Sequence, residues 1–461
     1  MIRKTLKIIG CIFASLVCLG VAIYLTAVAI NWRDQEPSPA AIQLASLYHD
    51  RPRVADEDNA FIYVMGFVAA AGDDPYQMGL RRLAWLQKSN QLAPLDTTQD
   101  PLRERLDYKA SRLQAVRDFV DACKPGNPSC AAAFGAGDEV FQQWAASEGW
   151  LLQRYQQLIR HGGWRESVPF DIAAPLPSYA PVMDGQKLLL LNAKVLATRG
   201  DYARVRSLLG EDLSYWRKVL ESSDTLISKM IATAAITRHF ELGSQIFRQI
   251  RPDHVMSAVP TGWRTPISES ERSLRRVLAG EWIFMSAALR HSDVDLYALN
   301  DDSVVTGMLR SLSMPLYRPQ DSMNRNAAYL LEMTQLLSAP LDRYENAVNL
   351  TAGLSERTRR EALSPRSLYN VVGRVLMGIG AYDFGKYARR VADLEGVRRA
   401  AFVSVTLRAA NVRAPEVNAA LNANALREPY HNRPFESDEN EGVIIFRGLE
   451  IGERSTHRIL Y

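Results

Sequence analysis

Glu281 sits in Leu278-Ala279-Gly280-Glu281-Trp282-Ile283-Phe284, a carboxylate among apolar neighbours in a stretch of helical periodicity. Withdrawal from water raises the pKa of such a group and fits it for general-acid chemistry. The plainer reading is structural: an amphipathic helix has a polar face, and Glu271 and Arg275 recur there at turn spacing. A glycan hydrolase built on Glu281 would need a second carboxylate within roughly 5–10 Å across an open cleft.

Two other groups of residues have the right types for chemistry but not the right spacing. Asp56, Glu57 and Asp58, with Asp73 and Asp74 further on, supply oxygen ligands. They lack the loop spacing and the turn glycine of an EF-hand, so helix caps and a solvated strand entry account for them. His291-Ser292-Asp293-Val294-Asp295 places a histidine near two carboxylates. No His-x3-His or Cys-x2-Cys spacing joins it, and zinc needs three or four converging ligands. A Gly-x-Ser-x-Gly elbow, a phosphate-binding loop and a dinucleotide fingerprint are all absent from the sequence. The sequence therefore predicts no metal and no cofactor, and favours a non-enzymatic role.

Cys123 and Cys130 are separated by Lys-Pro-Gly-Asn-Pro-Ser, a turn that can bring two thiols within bonding range. In an oxidising compartment a disulfide closing this loop is the favoured reading, and two unpaired thiols near a helix end are the alternative. The other two cysteines, Cys11 and Cys18, fall inside an apolar run.

That run is the strongest signal in the chain. Arg3, Lys4 and Lys7 precede residues 8–30, which contain no Asp, Glu, Lys, Arg or His; Asp34 and Glu36 follow. At 1.5 Å per residue the run spans roughly 33 Å, enough for a bilayer core. The cations on the leading side predict a cytoplasmic N-terminus with the bulk of the chain in the periplasm, anchored in a bacterial inner membrane. A cleavable signal could use Ala27-Val28-Ala29, but the run is longer than signals usually carry. A lipoprotein signal fits worse: almost no apolar segment precedes Cys11, and Cys18 follows Ser-Leu-Val.

The remaining chain must position whatever it does with helices. The expected organisation is residues 1–7 cytoplasmic, 8–30 membrane anchor, 31–55 linker, 56–183 a helical subdomain with one strand, 184–425 a helical-hairpin body, and 426–461 a C-terminal hairpin and tail. The fold class is mainly α. A strand is expected at 60–67, where Phe61, Ile62, Tyr63 and Val64 are β-branched or aromatic, with a buried helical start as the alternative. Asp73-Asp74-Pro75 predicts a helix start. Helices follow at 102–123 and 139–161, then a proline-rich crossing at 168–183. A hairpin of helices at 188–199 and 203–209 turns at Gly200-Asp201-Tyr202. This step is similar to the turn of a tetratricopeptide repeat, but no second copy lies 34 residues away, so two packed helices suffice.

Further helices are expected at 213–222, 225–247, 269–290, 322–337, 343–349, 367–391 and 396–409. Ser268 and Glu271 form a capping-box pattern at the head of 269–290. A strand is expected at 443–448, with residues 450–461 a polar tail. Its expected partners are a C-terminal hairpin and the strand near 61–67.

The bulk numbers narrow the class further. Of 461 residues, 47% are hydrophobic, which excludes disorder as the general state. The 55 Lys+Arg against 51 Asp+Glu leave a net charge of +4, too small and too scattered for a nucleic-acid surface.

Four phrases carry a resemblance: Val54-Ala55-Asp56-Glu57-Asp58-Asn59-Ala60, Ser223-Asp224-Thr225-Leu226-Ile227-Ser228-Lys229-Met230, Leu316-Tyr317-Arg318-Pro319-Gln320-Asp321-Ser322-Met323-Asn324 and Glu428-Pro429-Tyr430-His431-Asn432-Arg433-Pro434-Phe435. Together they resemble a group of proteobacterial proteins with one N-terminal membrane anchor and an exported helical domain, a group with no assigned activity. The resemblance implies architecture and location only. The expected function is a membrane-anchored periplasmic scaffold that binds another envelope protein. The competing expectation is a periplasmic hydrolase acting on cell-wall glycan through Glu281.

Overall fold

In the computed structural model the described residues are 2–92, 97–103, 105, 108, 113–124, 129–167, 174–295, 304–362, 364 and 367–461. The protein is mainly helical, with one small antiparallel sheet at the C-terminus. From the N-terminus run α1 (Ile2–Ile30), α2 (Pro39–His49), α3 (Ala60–Met65), α4 (Pro75–Leu92), α5 (Gln114–Ala122) and α6 (Cys130–Gly135). Next come α7 (Asp138–Leu158), α8 (Tyr179–Thr198), α9 (Tyr202–Ser222), α10 (Leu226–Arg248), α11 (Pro252–Ala258), α12 (Glu269–Arg272) and α13 (Arg275–Asp295). The last are α14 (Val304–Ser313), α15 (Pro319–Leu336), α16 (Tyr344–Ala362), α17 (Val371–Gly380), α18 (Gly385–Ala409) and α19 (Val417–Ala423). Helix α1 is long and apolar enough to cross a membrane.

The chain forms two compact units, each assembled from three stretches: 1–49, 282–333 and 351–383 in the first, 50–281, 334–350 and 384–461 in the second. In the second unit α7, α8, α9 and α10 pack successively, and α10 also packs against α8, α18 and the sheet. Helix α8 is buried almost throughout, from Pro181 to Leu191, because helices cover more than one of its faces. The turn between α8 and α9 uses Gly200 at φ 81°, and the Asp201 carboxylate accepts the Arg204 N–H at 3.2 Å to cap α9.

The strand expected at 60–67 is instead helix α3. Asn59 starts it by accepting the Phe61 N–H at 3.2 Å, and all six of its residues are buried, packed against α4 and α7. A helix short enough to be buried all round shows no polar face, so its sequence loses the 3.6-residue period and reads like a core strand.

The C-terminal sheet has three strands in the order β1 (Glu436–Asp438), β2 (Val443–Arg447) and β3 (Thr456–Leu460). Both pairings are antiparallel, with Ser437 opposite Ile444 and Ile444 opposite Ile459. The expected hairpin is therefore one strand larger, since part of the polar tail is β3. The partners of β2 are β1 and β3, and the segment near 61–67 is not among them. Strand β3 alternates inward Ile459 with hydrophilic residues on a sheet that covers α10 and α18, so its low hydrophobicity conceals it.

Candidate functional site: a groove along helix α9 above a buried polar network

Helix α9 carries two opposed faces. Ala203, Ser207, Gly210, Ser214, Arg217 and Glu221 recur every three or four residues and line a groove of about 770 Å³. The other wall is the turn Pro260-Thr261-Gly262, with Thr265 and Glu271. From Ala203 to Glu221 the helix rises eighteen steps, which makes this a trough roughly 27 Å long. Its charges alternate: Arg206 and Lys218 against Glu211 and Glu221. Arg217 is not free for a ligand, because its guanidinium holds Glu271 at 2.5 and 2.8 Å and the carbonyls of Thr265 and Pro266 at 2.9 and 2.7 Å. That fork ties the wall to α9 and fixes the width of the groove.

The inward face of α9 bears Asp212, fully buried. Its carboxylate receives the hydroxyl of Tyr155, the Nδ1 side of His239 at 2.7 Å and the amide of Gln186 at 3.2 Å. Trp263 donates its indole N–H to Nε2 of His239 at 2.9 Å. An indole can only donate, so Nε2 carries no proton and the ring hydrogen is on Nδ1, pointing at Asp212. Trp216 donates to the Tyr155 oxygen at 2.7 Å, and burial with the adjacent Asp212 charge holds that phenol well above its ordinary pKa. An aspartate–histidine pair of this kind in an open cleft would be an acid–base dyad. Here both ring nitrogens are occupied and both side chains have no exposure, so the arrangement fixes four helices rather than meeting a ligand.

Glu281 lies one and a half turns into α13 and is half-buried. One carboxylate oxygen accepts the N–H of Leu226, the first residue of α10, at 3.1 Å. Burial pushes its pKa up, and that hydrogen bond pulls it partly back. With Thr225 accepting the Ser228 N–H at 3.3 Å, Glu281 caps a helix N-terminus, where a negative charge is favourable. The helical spacing to Glu271 does not produce a shared face, because the chain breaks at Ser273 between α12 and α13 and Glu271 is bound to Arg217. Glu281 is not among the groove-lining residues.

Other carboxylates meet at the same α9–α10 turn. Asp224, fully buried, is paired with Arg51 and, at 2.6 Å, with Arg276. Its backbone N–H is accepted by Glu166 at 3.0 Å, and Trp164 donates to the same Glu166 oxygen at 3.3 Å. Burial and then the Asp224 charge push Glu166 up to about 7. Gly280 admits this turn: a Cβ there would lie 1.8 Å from the Asp224 carbonyl oxygen. Lys229, also in the interior, donates to the carbonyls of Leu220 at 2.6 Å and Glu271 at 2.7 Å, and burial brings it down to about 7.

The acidic cluster divides among separate tasks. Asp56, Glu57 and Asp58 form an exposed turn, whereas Asp74 caps α4 by accepting the N–H groups of Tyr76 and Gln77 at 2.7 and 3.1 Å. Among the described residues no three His, Cys, Asp or Glu side chains are grouped to hold a metal ion. His291 to Asp295 complete the backbone of α13, and their side chains lie outside the described residues. The sulfurs of Cys123 and Cys130 are joined, with their Cα atoms 4.4 Å apart.

Of these residues, sequence reasoning singled out Glu281, the acidic cluster, His291 to Asp295 and the cysteine pair. It missed Asp212 with His239, Glu166 with Asp224, and Lys229. The one signal they offer is a charged or polar residue inside an otherwise apolar stretch, as in Ile227-Ser228-Lys229-Met230-Ile231. No family model matches the chain, and no curated protein or solved structure matches it.

Proposed function

We propose that this protein is a membrane-tethered scaffold of the cell envelope, with α1 spanning the inner membrane and residues 31–461 on the periplasmic side. The groove along α9 is the surface on which it receives an extended segment of a partner protein. The observation that carries the reading is the shape of that groove: about five helical turns long, with small residues on its floor and charges of alternating sign. Such a trough suits a polypeptide, which offers backbone groups and side chains of either sign along its length. The run of cations before α1 and the joined cysteine pair support export. Hydrolysis through Glu281 is the less supported reading, because that carboxylate is spent on the first turn of α10.

A photo-crosslinking residue at Ser214, which is exposed on the groove floor, tests this in intact cells. The expected result is one discrete protein adduct, lost when Arg206→Glu and Lys218→Glu are combined in a protein that still folds. Absence of any adduct from Ser207 and Ser214, or a glycan-cleaving activity abolished by Glu281→Gln in folded protein, would contradict the proposal.

A further inference from the structure

The first unit holds the end of α1 rigidly. Asn31, fully buried, donates from its amide to the carbonyls of Ala27 and Leu368, both at 2.7 Å, and its oxygen accepts the N–H of Asn370 at 2.6 Å. Asp34 accepts the N–H groups of Gln320 and Asp321 at 2.8 and 3.1 Å, capping α15 from outside. Asn324 donates to the Glu36 carbonyl at 2.9 Å and accepts the Ser38 N–H at 2.8 Å. The stretch expected to be a linker is therefore bonded to the unit at least as far as Ser38.

Packing extends back along the helix. From residue 8 onwards, Tyr24, Ala27 and Val28 are the residues of α1 that are covered or half-covered, in line with the buried Asn31 just beyond it at spacings of three and four, while Ile8 to Ile23 are exposed all round. The turn Met314–Leu316 lies against α1. A bilayer core takes about 20 helical residues. If residues 8–30 cross it, the covered stripe begins about one turn inside the hydrocarbon, so the protein against it reaches through headgroup depth to the edge of the hydrocarbon. That turn continues directly from α14 and also packs on α17, which starts one residue after Asn370.

Both helices leave large apolar side chains uncovered. Met308 is 64% and Leu312 42% exposed on α14; Ile379 is 79% and Val375 41% exposed on α17. Each pair is four residues apart, one turn of one face. Trp32, 79% exposed, follows the end of α1, where an indole favours the membrane interface.

We infer that α14 and α17 are interfacial helices: their exposed apolar faces enter the outer boundary of the same bilayer that α1 crosses. The occupant of this surface is lipid, because both helices meet the membrane-spanning helix through the turn Met314–Leu316, and α17 follows directly on the Asn31 contacts with Leu368 and Asn370. The first unit thus rests on the membrane as a foot and does not swing on a tether. This inference depends on the reading of α1 as a membrane span, and the test separates the two.

The full chain, with Cys11→Ser and Cys18→Ser, is reconstituted in vesicles of phosphatidylethanolamine and phosphatidylglycerol. A polarity-sensitive dye is attached to single cysteines at Leu16, Met308 or Ile379, and quenching by lipids spin-labelled near the headgroup or deep in the acyl chain is compared. The dye on free cysteine sets the aqueous limit. The expected result is deep quenching at Leu16 and shallow quenching at Met308 and Ile379, with emission blue-shifted from that limit. Deep quenching at Leu16 with the aqueous limit at Met308 and Ile379 overturns this inference alone; shielding of those two sites only in native membranes would assign the face to a protein. An aqueous Leu16 overturns the anchor and this inference with it.

Discussion

At the scale of single residues, two buried groups titrate near neutrality and pull stability in opposite directions. Glu166 is raised from its ordinary carboxylate range to about 7 by burial and the neighbouring Asp224. The folded state then holds a proton that the unfolded state has released, so this contribution is complete below about pH 4.5 and is lost as pH rises through 7. Lys229 is lowered to about 7 by burial. Between about pH 7 and 10.5 the unfolded chain binds the extra proton, and stability rises with pH across that window. In denaturant unfolding from pH 5 to 7.5, Glu166→Gln is expected to flatten the wild-type decline, which amounts to at most about 3 kcal/mol. Between pH 7.5 and 10, Lys229→Met is expected to remove the rise. Identical pH profiles for wild type and both variants would show that neither group is held as described.

These residues were hard to read because their partners are remote in sequence. Asp212 and His239 are 27 positions apart and Glu166 and Asp224 are 58 apart, so no local spacing announces either pair. The cysteine pair was conspicuous for the opposite reason, a seven-residue separation across a proline-rich turn.

At the scale of elements, α18 shows how a close approach misleads a reader of sequence. The helices expected at 367–391 and 396–409 put a boundary just before Gly396. In the structure α18 runs unbroken through Gly396, where a Cβ would come within 2.0 Å of the Phe446 ring on β2. The true break is earlier, at Ala381 to Phe384 between α17 and α18. By contrast, caps with local donors were legible: Asp74 before Pro75 and the Ser268–Glu271 box, although the box heads a helix of only four residues. One turn beside Gly396, Asp393 accepts the Tyr430 hydroxyl at 2.6 Å and the N–H groups of Leu449 and Glu450 at 2.7 and 3.1 Å. It binds the C-terminal sheet to the helical body. Asp393→Ala strands three donors, the Tyr430 hydroxyl buried and the two N–H groups half-buried, and is expected to cost about 2–4 kcal/mol. Hydrogen exchange should quicken first at Val443 to Arg447 while α8 keeps its protection; equal loss in both would deny Asp393 this local role.

At the scale of the molecule, what was most legible is the helical class and the apolar N-terminal run, both of which depend on composition and period alone. The two compact units were not legible. Helices α13, α15 and α16 each contribute residues to both, so no change of composition marks residues 281–282, 333–334 or 350–351. The account as a whole depends on α1 crossing a bilayer and carrying residues 31–461 out of the cytoplasm. Paired reporters fused after Tyr461 test that most directly: a phosphatase that folds only outside the cytoplasm and a fluorescent protein that matures only within it. High phosphatase activity with no fluorescence is the predicted result; bright fluorescence with an inactive phosphatase would contradict it.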